Sequence, residues 1–181
     1  TPRQVSSAAS DVYKRQSGGC VFEETLVTIL DKDDVVKSVM GKYVKPGMFI
    51  LTRDTKSHDY KFSKIELMTK LHYFGNFIFY PNDIILTPWH PVRNAYDSGY
   101  VFPKLDSRKL PLVESGYKRF GHWNLCTPIV LDFIVENRGD VVLGDNNLND
   151  DQKILMVTLG HNITNDPVAK HCYLGTDIVV N

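Results

Sequence analysis

Residues 62–92 read FSKIELMTKLHYFGNFIFYPNDIILTPWHPV, and whether their first half is helix or strand decides the fold. By propensity, Phe62 to Phe74 can form a helix. The setting argues for β. The stretch alternates, and it carries turn signals at Gly75-Asn76 and again at Pro81-Asn82-Asp83 before a second apolar run. Upstream, CVFEETLVTIL (20–30) is rich in Val, Ile, Thr and Phe, and VVKSVMGKYVKPGMFILTRD (35–54) sets a Pro-Gly turn between two apolar runs, which suits a pair of strands. Downstream, GYVFPKL (99–105) reads as a short strand and NLCTPIVLDFIVEN (124–137) as a longer one. RGDVVLGDNN (138–147) reads as a hairpin and QKILMVTLGHN (152–162) as a last strand. Many short strands at turn-signalled spacing predict a closed or curled all-β fold. The tail NDPVAKHCYLGTDIVVN (165–181) is less regular and is expected to lie outside the core.

The whole chain has 181 residues, 43% of them hydrophobic, and a formal net charge of zero. That suits one globular domain able to bury a core, and implies no basic face for nucleic acid. No apolar run is long enough to span a membrane, and no signal peptide is expected. Cys20, Cys126 and Cys172 are widely spaced and odd in number, so they predict neither a disulfide framework nor a zinc site. A reducing, cytoplasmic setting is the default expectation. Ser6 to Gln16, SSAASDVYKRQ, has no apolar periodicity and resembles the translation of a common transposon-based sequencing adapter. Residues 1–16 are therefore expected to be an artefact or a disordered leader, with the protein proper beginning near Ser17 and its natural N-terminal portion missing.

Four short stretches carry residues suited to one chemistry. Cys20 follows Gly18-Gly19. A thiol beside the carbonyl of its own preceding residue can attack through a five-membered ring and turn the amide into a thioester. Against this, a free cysteine is commonly a buried structural residue. In TPWHP (87–91), Thr87 and His90 can bring a hydroxyl and an imidazole to one point, the first to hold a peptide and the second to protonate a departing amine. A capped turn explains them equally well. Asp132 interrupts the apolar strand VLDFIVEN; buried near Cys20 it is a general acid or base, and outward-facing it is only a strand carboxylate. In VTLGHN (157–162), Asn162 can attack its own carbonyl, form a succinimide and cut the chain, with His161 assisting, although a His-Asn pair ending a strand is usually a turn.

Taken in order, these stretches resemble the Hint superfamily, which comprises inteins, Hedgehog autoprocessing domains and intein-like domains joined to von Willebrand factor A modules. Cys20 with Thr25 matches the opening Cys-x-x-x-x-Thr-x-Val pattern. VKPGMFIL matches a Val-x-x-Gly-Asp strand, with Met48 where Asp is usual. TPWHPV, VLDFIVEN and VTLGHN match the later blocks. LTPWHPVR, YVFP, VTLGH and HCYLGT look most like the von Willebrand-associated branch. The resemblance covers Cys20 to Asn162, within a Hint domain spanning residues 17–162, and leaves 163–181 as a flanking segment.

The resemblance implies a horseshoe-like all-β Hint fold and self-cleavage at Gly19-Cys20. Cys20 would be the nucleophile, Thr87 and His90 would activate the first peptide, Asp132 would shuttle a proton, and His161 and Asn162 would serve the second bond. It implies no metal and no small cofactor. The partners implied are the flanking polypeptide, an upstream von Willebrand factor A domain, and water or a small nucleophile; no nucleic acid or membrane is implied. Two departures stand out. Arg138-Gly139-Asp140 lies where inteins carry a later His, and Ile163 lies where splicing needs Cys, Ser or Thr. They favour an alternative, a degenerate Hint fold kept as a structural or interaction module. A Cys/His hydrolase acting on other chains is a third reading. His58, His72 and His122 match no block and read as surface or structural residues. His171-Cys172 suggests a second Cys/His site, although the adjacent YLGT reads as packing.

Overall fold

The computed structural model describes residues 20–73, 75–96, 99–111 and 128–170; Gly19, Cys126, His122, His171 and Cys172, and the leader considered above, lie outside them. Eleven strands are present among the described residues: β1 (Val21–Phe22), β2 (Leu26–Leu30), β3 (Val36–Met40), β4 (Phe49–Arg53), β5 (Tyr60–His72), β6 (Ile78–Tyr80), β7 (Ile84–Leu86), β8 (Val92–Arg93), β9 (Ile129–Val135), β10 (Asp140–Leu143) and β11 (Ile154–Met156). They form one continuous sheet in the order β6-β7-β1-β9-β5-β4-β2-β10-β11-β8, with β3 on β2 and a further β4–β10 pairing. Every pairing between these strands is antiparallel. The fold is all-β and curled.

The disputed segment 62–74 is strand through His72, and it is the spine of the molecule. The first part of β5 pairs with β4 through Phe49↔Lys64 to Arg53↔Tyr60. The second part pairs with β9 through Ile65↔Val135 to His72↔Ile129. The register slips between Ile65 and Leu67, leaving Glu66 as the extra residue of a β-bulge. A bulge adds one residue and bends the strand. The alternation changes face across it: Ser63 and Ile65 are buried before it, whereas Leu67 and Leu71, after it, are exposed. The bend also joins two sheet halves that enclose a core of Val21, Val27, Ile50, Ile65, Leu86, Phe133, Val141 and Met156.

Several local expectations change. The segment 20–30 is two strands, because Thr25 N bonds Phe22 O at 3.0 Å and turns the chain between them. The runs on either side of Pro46-Gly47 are strands β3 and β4, but each pairs with β2 rather than with the other. GYVFPKL is no strand: it makes one bridge, Val101↔Val92, and then a single 3-10 turn at Pro103–Leu105. RGDVVLGDNN supplies only β10, whose hairpin partner is β11. The last strand is short. Beyond it, Val157 N still reaches Pro91 O at 3.2 Å and Leu159 N reaches Phe133 O at 2.9 Å.

Candidate active site

Cys20 immediately precedes β1, a two-residue strand between β7 and β9. Val21 pairs with Leu86 on one side and with Leu131 on the other. Continuing both antiparallel registers by one residue sets Cys20 between Thr87 and Asp132. The bonds on the Thr87 side bear this out. Thr87 Oγ1 accepts Cys20 N–H at 2.9 Å and donates to Cys20 O at 3.1 Å, while Thr87 N–H donates to the same oxygen at 3.0 Å. Thr87 therefore clasps Cys20 at both its amide nitrogen and its carbonyl. Thr25 steadies β7 next door, its Oγ1 accepting Ile85 N–H at 3.1 Å and facing Ile85 O at 3.3 Å.

The side chain of Cys20 is buried in an apolar cluster with Phe22, Phe77, Phe79, Ile85 and Val130, against which Tyr73 packs. Burial pushes the thiol pKa well up, and the negative charge of Asp132 pushes it further. At neutral pH the group is a thiol, and attack requires a base to take its proton. Asp132 is 4% exposed, and its Oδ1 accepts Phe133 N–H at 2.8 Å. Burial raises its pKa well above the ordinary carboxylate value, and the Phe133 bond opposes that only in part. The inward of the two orientations open from sequence is the one present.

An acid whose pKa is higher folded than unfolded binds protons more tightly in the folded state. Its contribution to stability is fully present below the unfolded value and is lost as pH rises toward the folded one. Asp132→Asn keeps the oxygen that accepts Phe133 N–H and removes the carboxyl group whose ionisation burial opposes. We expect a higher thermal midpoint at neutral pH, with the difference shrinking toward about pH 4, near the free carboxylate value. A midpoint lowered equally at both pH values would show that the carboxylate stabilises this strand.

His90 is 2% exposed, and its Nε2 lies 2.7 Å from Val157 O. A carbonyl only accepts, so Nε2 carries the proton and Nδ1 is the basic atom of the neutral ring. The bond ties the TPWHP loop to the segment that follows β11. That segment also reaches β9. Leu159 bonds Phe133 on the same edge of β9 that pairs with β1. The chain leading out of Cys20 and the chain leading to His161-Asn162 thus lie end to end along one strand edge, with Asp132 at their junction.

His161 is buried, and its Nδ1 accepts Ile163 N–H at 2.9 Å. The accepting ring nitrogen faces the nitrogen of the Asn162–Ile163 bond. Asn162 is exposed and holds φ 58°, a left-handed conformation that asparagine tolerates. His161 and Asn162 line a cavity of about 880 Å³ together with Arg93, Tyr100, Arg138 and Asp166. Cys20, Thr87, His90 and Asp132 do not line it, so the six residues divide into two adjoining groups. His58, exposed at φ 61°, lines the same cavity, and His72 is exposed at the end of β5.

The Arg138-Gly139-Asp140 stretch is closely packed at its glycine. At Gly139 a Cβ would lie 2.8 Å from Arg53 O, so any side chain at that position would force the backbone to shift. Arg138, at φ 57°, reaches Gly160 O with Nη1 at 3.3 Å. Sequence reading also missed Arg93 and Asp140. Asp140 is fully buried, receiving Arg93 Nε at 2.7 Å and Tyr100 OH at 2.8 Å. Burial raises the Asp140 pKa, and the Arg93 charge opposes the rise. Both residues lie in short apolar contexts, and only their charges inside strands hinted at a buried pair. Arg93→Met should strand that carboxylate and destabilise the fold by about 3–5 kcal/mol, measurable by urea unfolding. A loss below about 1 kcal/mol would place the pair in water.

A curled antiparallel sheet that brings a buried initial cysteine and a downstream His-Asn pair to one strand edge is the layout of an intein-like domain of autoprocessing type. Among protein-family models, that of Vint, described as Hint-domain, matches residues 19–181. The chain belongs to this Hint-domain family. Among solved structures, the solution structure of a bacterial intein-like domain from Clostridium thermocellum is similar at a TM-score of 0.50 and 13% identity. The match covers 76% of this chain and 98% of that one, and it shows a shared fold. No curated protein matches. Among the described residues, no group of three or more His, Cys, Asp or Glu is placed to hold a metal ion.

Proposed function

We propose that this Hint domain cuts its own chain at Gly19-Cys20 by an N-to-S acyl shift, the resulting thioester then being opened by water or a small nucleophile, and cuts more slowly after Asn162. The observation that carries the reading is the double clasp of Thr87 on Cys20, which fixes the amide nitrogen of the bond to be broken. Asp132 takes the proton from Cys20 Sγ, and sulfur attacks the Gly19 carbonyl carbon. Asp132 passes that proton to His90 Nδ1, which delivers it to Cys20 N as the C–N bond breaks, so the net change is amide plus thiol to thioester plus amine. At the second bond, Asn162 Nδ2 attacks the Asn162 carbonyl carbon and loses a proton while Ile163 N gains one. His161 Nδ1, already bonded to that N–H, is positioned to relay it.

A mass spectrum of a chain carrying a tagged segment upstream of Gly19 tests the reading. Fragments that break at Gly19-Cys20 are expected, and an intact chain after prolonged incubation with hydroxylamine would refute it. The alternative, a Hint fold kept as a structural or interaction module, is favoured by Arg138-Gly139-Asp140 in place of a later histidine and by Ile163 after Asn162. We further propose that the upstream substrate segment belongs to a von Willebrand factor A domain, an idea that rests on sequence resemblance.

A further inference from the structure

The residues after Asn162 fold back onto the domain. Ala169 is 1% exposed and forms a small cluster with Tyr100 and Val157, against which Ile163 and Val168 pack. Asp166 organises the segment. Its Oδ1 accepts Val168 N–H at 2.8 Å and Ala169 N–H at 2.9 Å, and its backbone O accepts Lys170 N–H at 3.0 Å, which closes a turn. Its Oδ2 accepts Tyr100 N–H at 3.2 Å. The adjacent Gly99 permits this approach, since a Cβ there would lie 3.3 Å from the same Oδ2. Tyr100 is itself fixed, its hydroxyl bonded to the buried Asp140 that Arg93 neutralises. The receiving surface is therefore part of the rigid body, and the arriving segment brings one carboxylate and three apolar side chains.

We propose that residues 163–170 are a docking segment: the body holds the chain downstream of Asn162 non-covalently, so that a cut after Asn162 does not release it. The proposal rests, for the cut itself, on the reading of Asn162 above. Downstream recognition would then extend over several residues beyond the bond, with Asp166 and Ala169 as its determinants. It would also keep the new Ile163 amine beside His161 after the break.

The full chain tests this in two ways. After self-cleavage, the fragment beginning at Ile163 should co-elute with the body on size exclusion. Asp166→Ala should speed its loss by about tenfold or more, the worth of one hydrogen bond to a charged group, and Ala169→Glu should separate the two outright. A fragment that leaves the unmutated body as fast as it leaves Asp166→Ala would overturn the proposal. If Asn162 is never cut, the reading of the second junction fails, and amide exchange decides the docking separately. The Tyr100 amide should be protected in the unmutated chain and should exchange at least about tenfold faster in Asp166→Ala. An equally fast Tyr100 amide in both chains would remove the docking itself.

Discussion

Cys20→Ala should leave the chain intact at Gly19-Cys20, with or without added thiol or hydroxylamine, as read by mass spectrometry. The reason is chemical: the acyl group needs a sulfur to receive it, and alanine has none. The variant should still fold, because Cys20 sits in an apolar cluster where a methyl group is tolerated at the cost of a small cavity. His90→Ala should keep the thiol but slow cleavage by about 10²–10⁴-fold, the usual contribution of a positioned general acid. It should also loosen the segment after β11, since Val157 O loses its partner. Cutting at this bond that persists in Cys20→Ala would end the acyl-shift reading and point to water or a protease as the agent.

The same cluster bears on how long the thioester lasts. Cys20 shares its buried cluster with Phe22, Phe77, Phe79 and Val130, and Tyr73 packs against that cluster with its hydroxyl directed to Asn76 O at 3.0 Å. Water has poor access, and the apolar surroundings that hold the thiol protonated at rest shield the acyl–sulfur bond once formed. A nucleophile stronger than water, such as a thiol or hydroxylamine, should open it faster than water does.

Sequence patterning found what lies on continuous elements. Cys20, Thr87 and Asp132 were each visible within an apolar run, because two registers meeting on β1 turn those runs into neighbours. The all-β character was visible too, since alternation survives on both sides of Glu66. What patterning missed depends on distant backbone. The bulge at Glu66 is set by how β5 divides its length between β4 and β9. The pairing of β3 and β4 with β2, rather than with each other, is set by sheet order, and local turn signals do not report it. The 165–170 tail looked irregular because its order comes from one aspartate and from Tyr100, which is 66 residues from Asp166 in sequence. The Arg93–Asp140 pair is 47 residues apart, and a lone charge in a short strand does not name its partner.

No ligated product is expected from the unmutated chain. Joining the flanks requires a second nucleophile directly after Asn162 to take over the acyl group from Cys20, and Ile163 offers only carbon. The branched intermediate that would couple the two cuts cannot form there, so the thioester waits for water or a small nucleophile, and Asn162 cyclises without being drawn forward. Separate fragments should result. Ile163→Cys supplies the missing thiol at a position whose amide is already held by His161 Nδ1 at 2.9 Å and whose side chain packs toward Tyr100 and Val157. The substitution gives up part of that apolar contact. Ligation should therefore rise from none to a minor fraction of product, because reacting atoms must approach to about 3–3.5 Å and a site not shaped for transfer meets that only in part. Mass spectrometry of a chain with distinguishable tags on both sides decides the matter. Ligated flanks from the unmutated chain would mean that another residue accepts the acyl group. Thr164, exposed one residue further on, or Cys172, outside the described residues, would then replace position 163 as the second site.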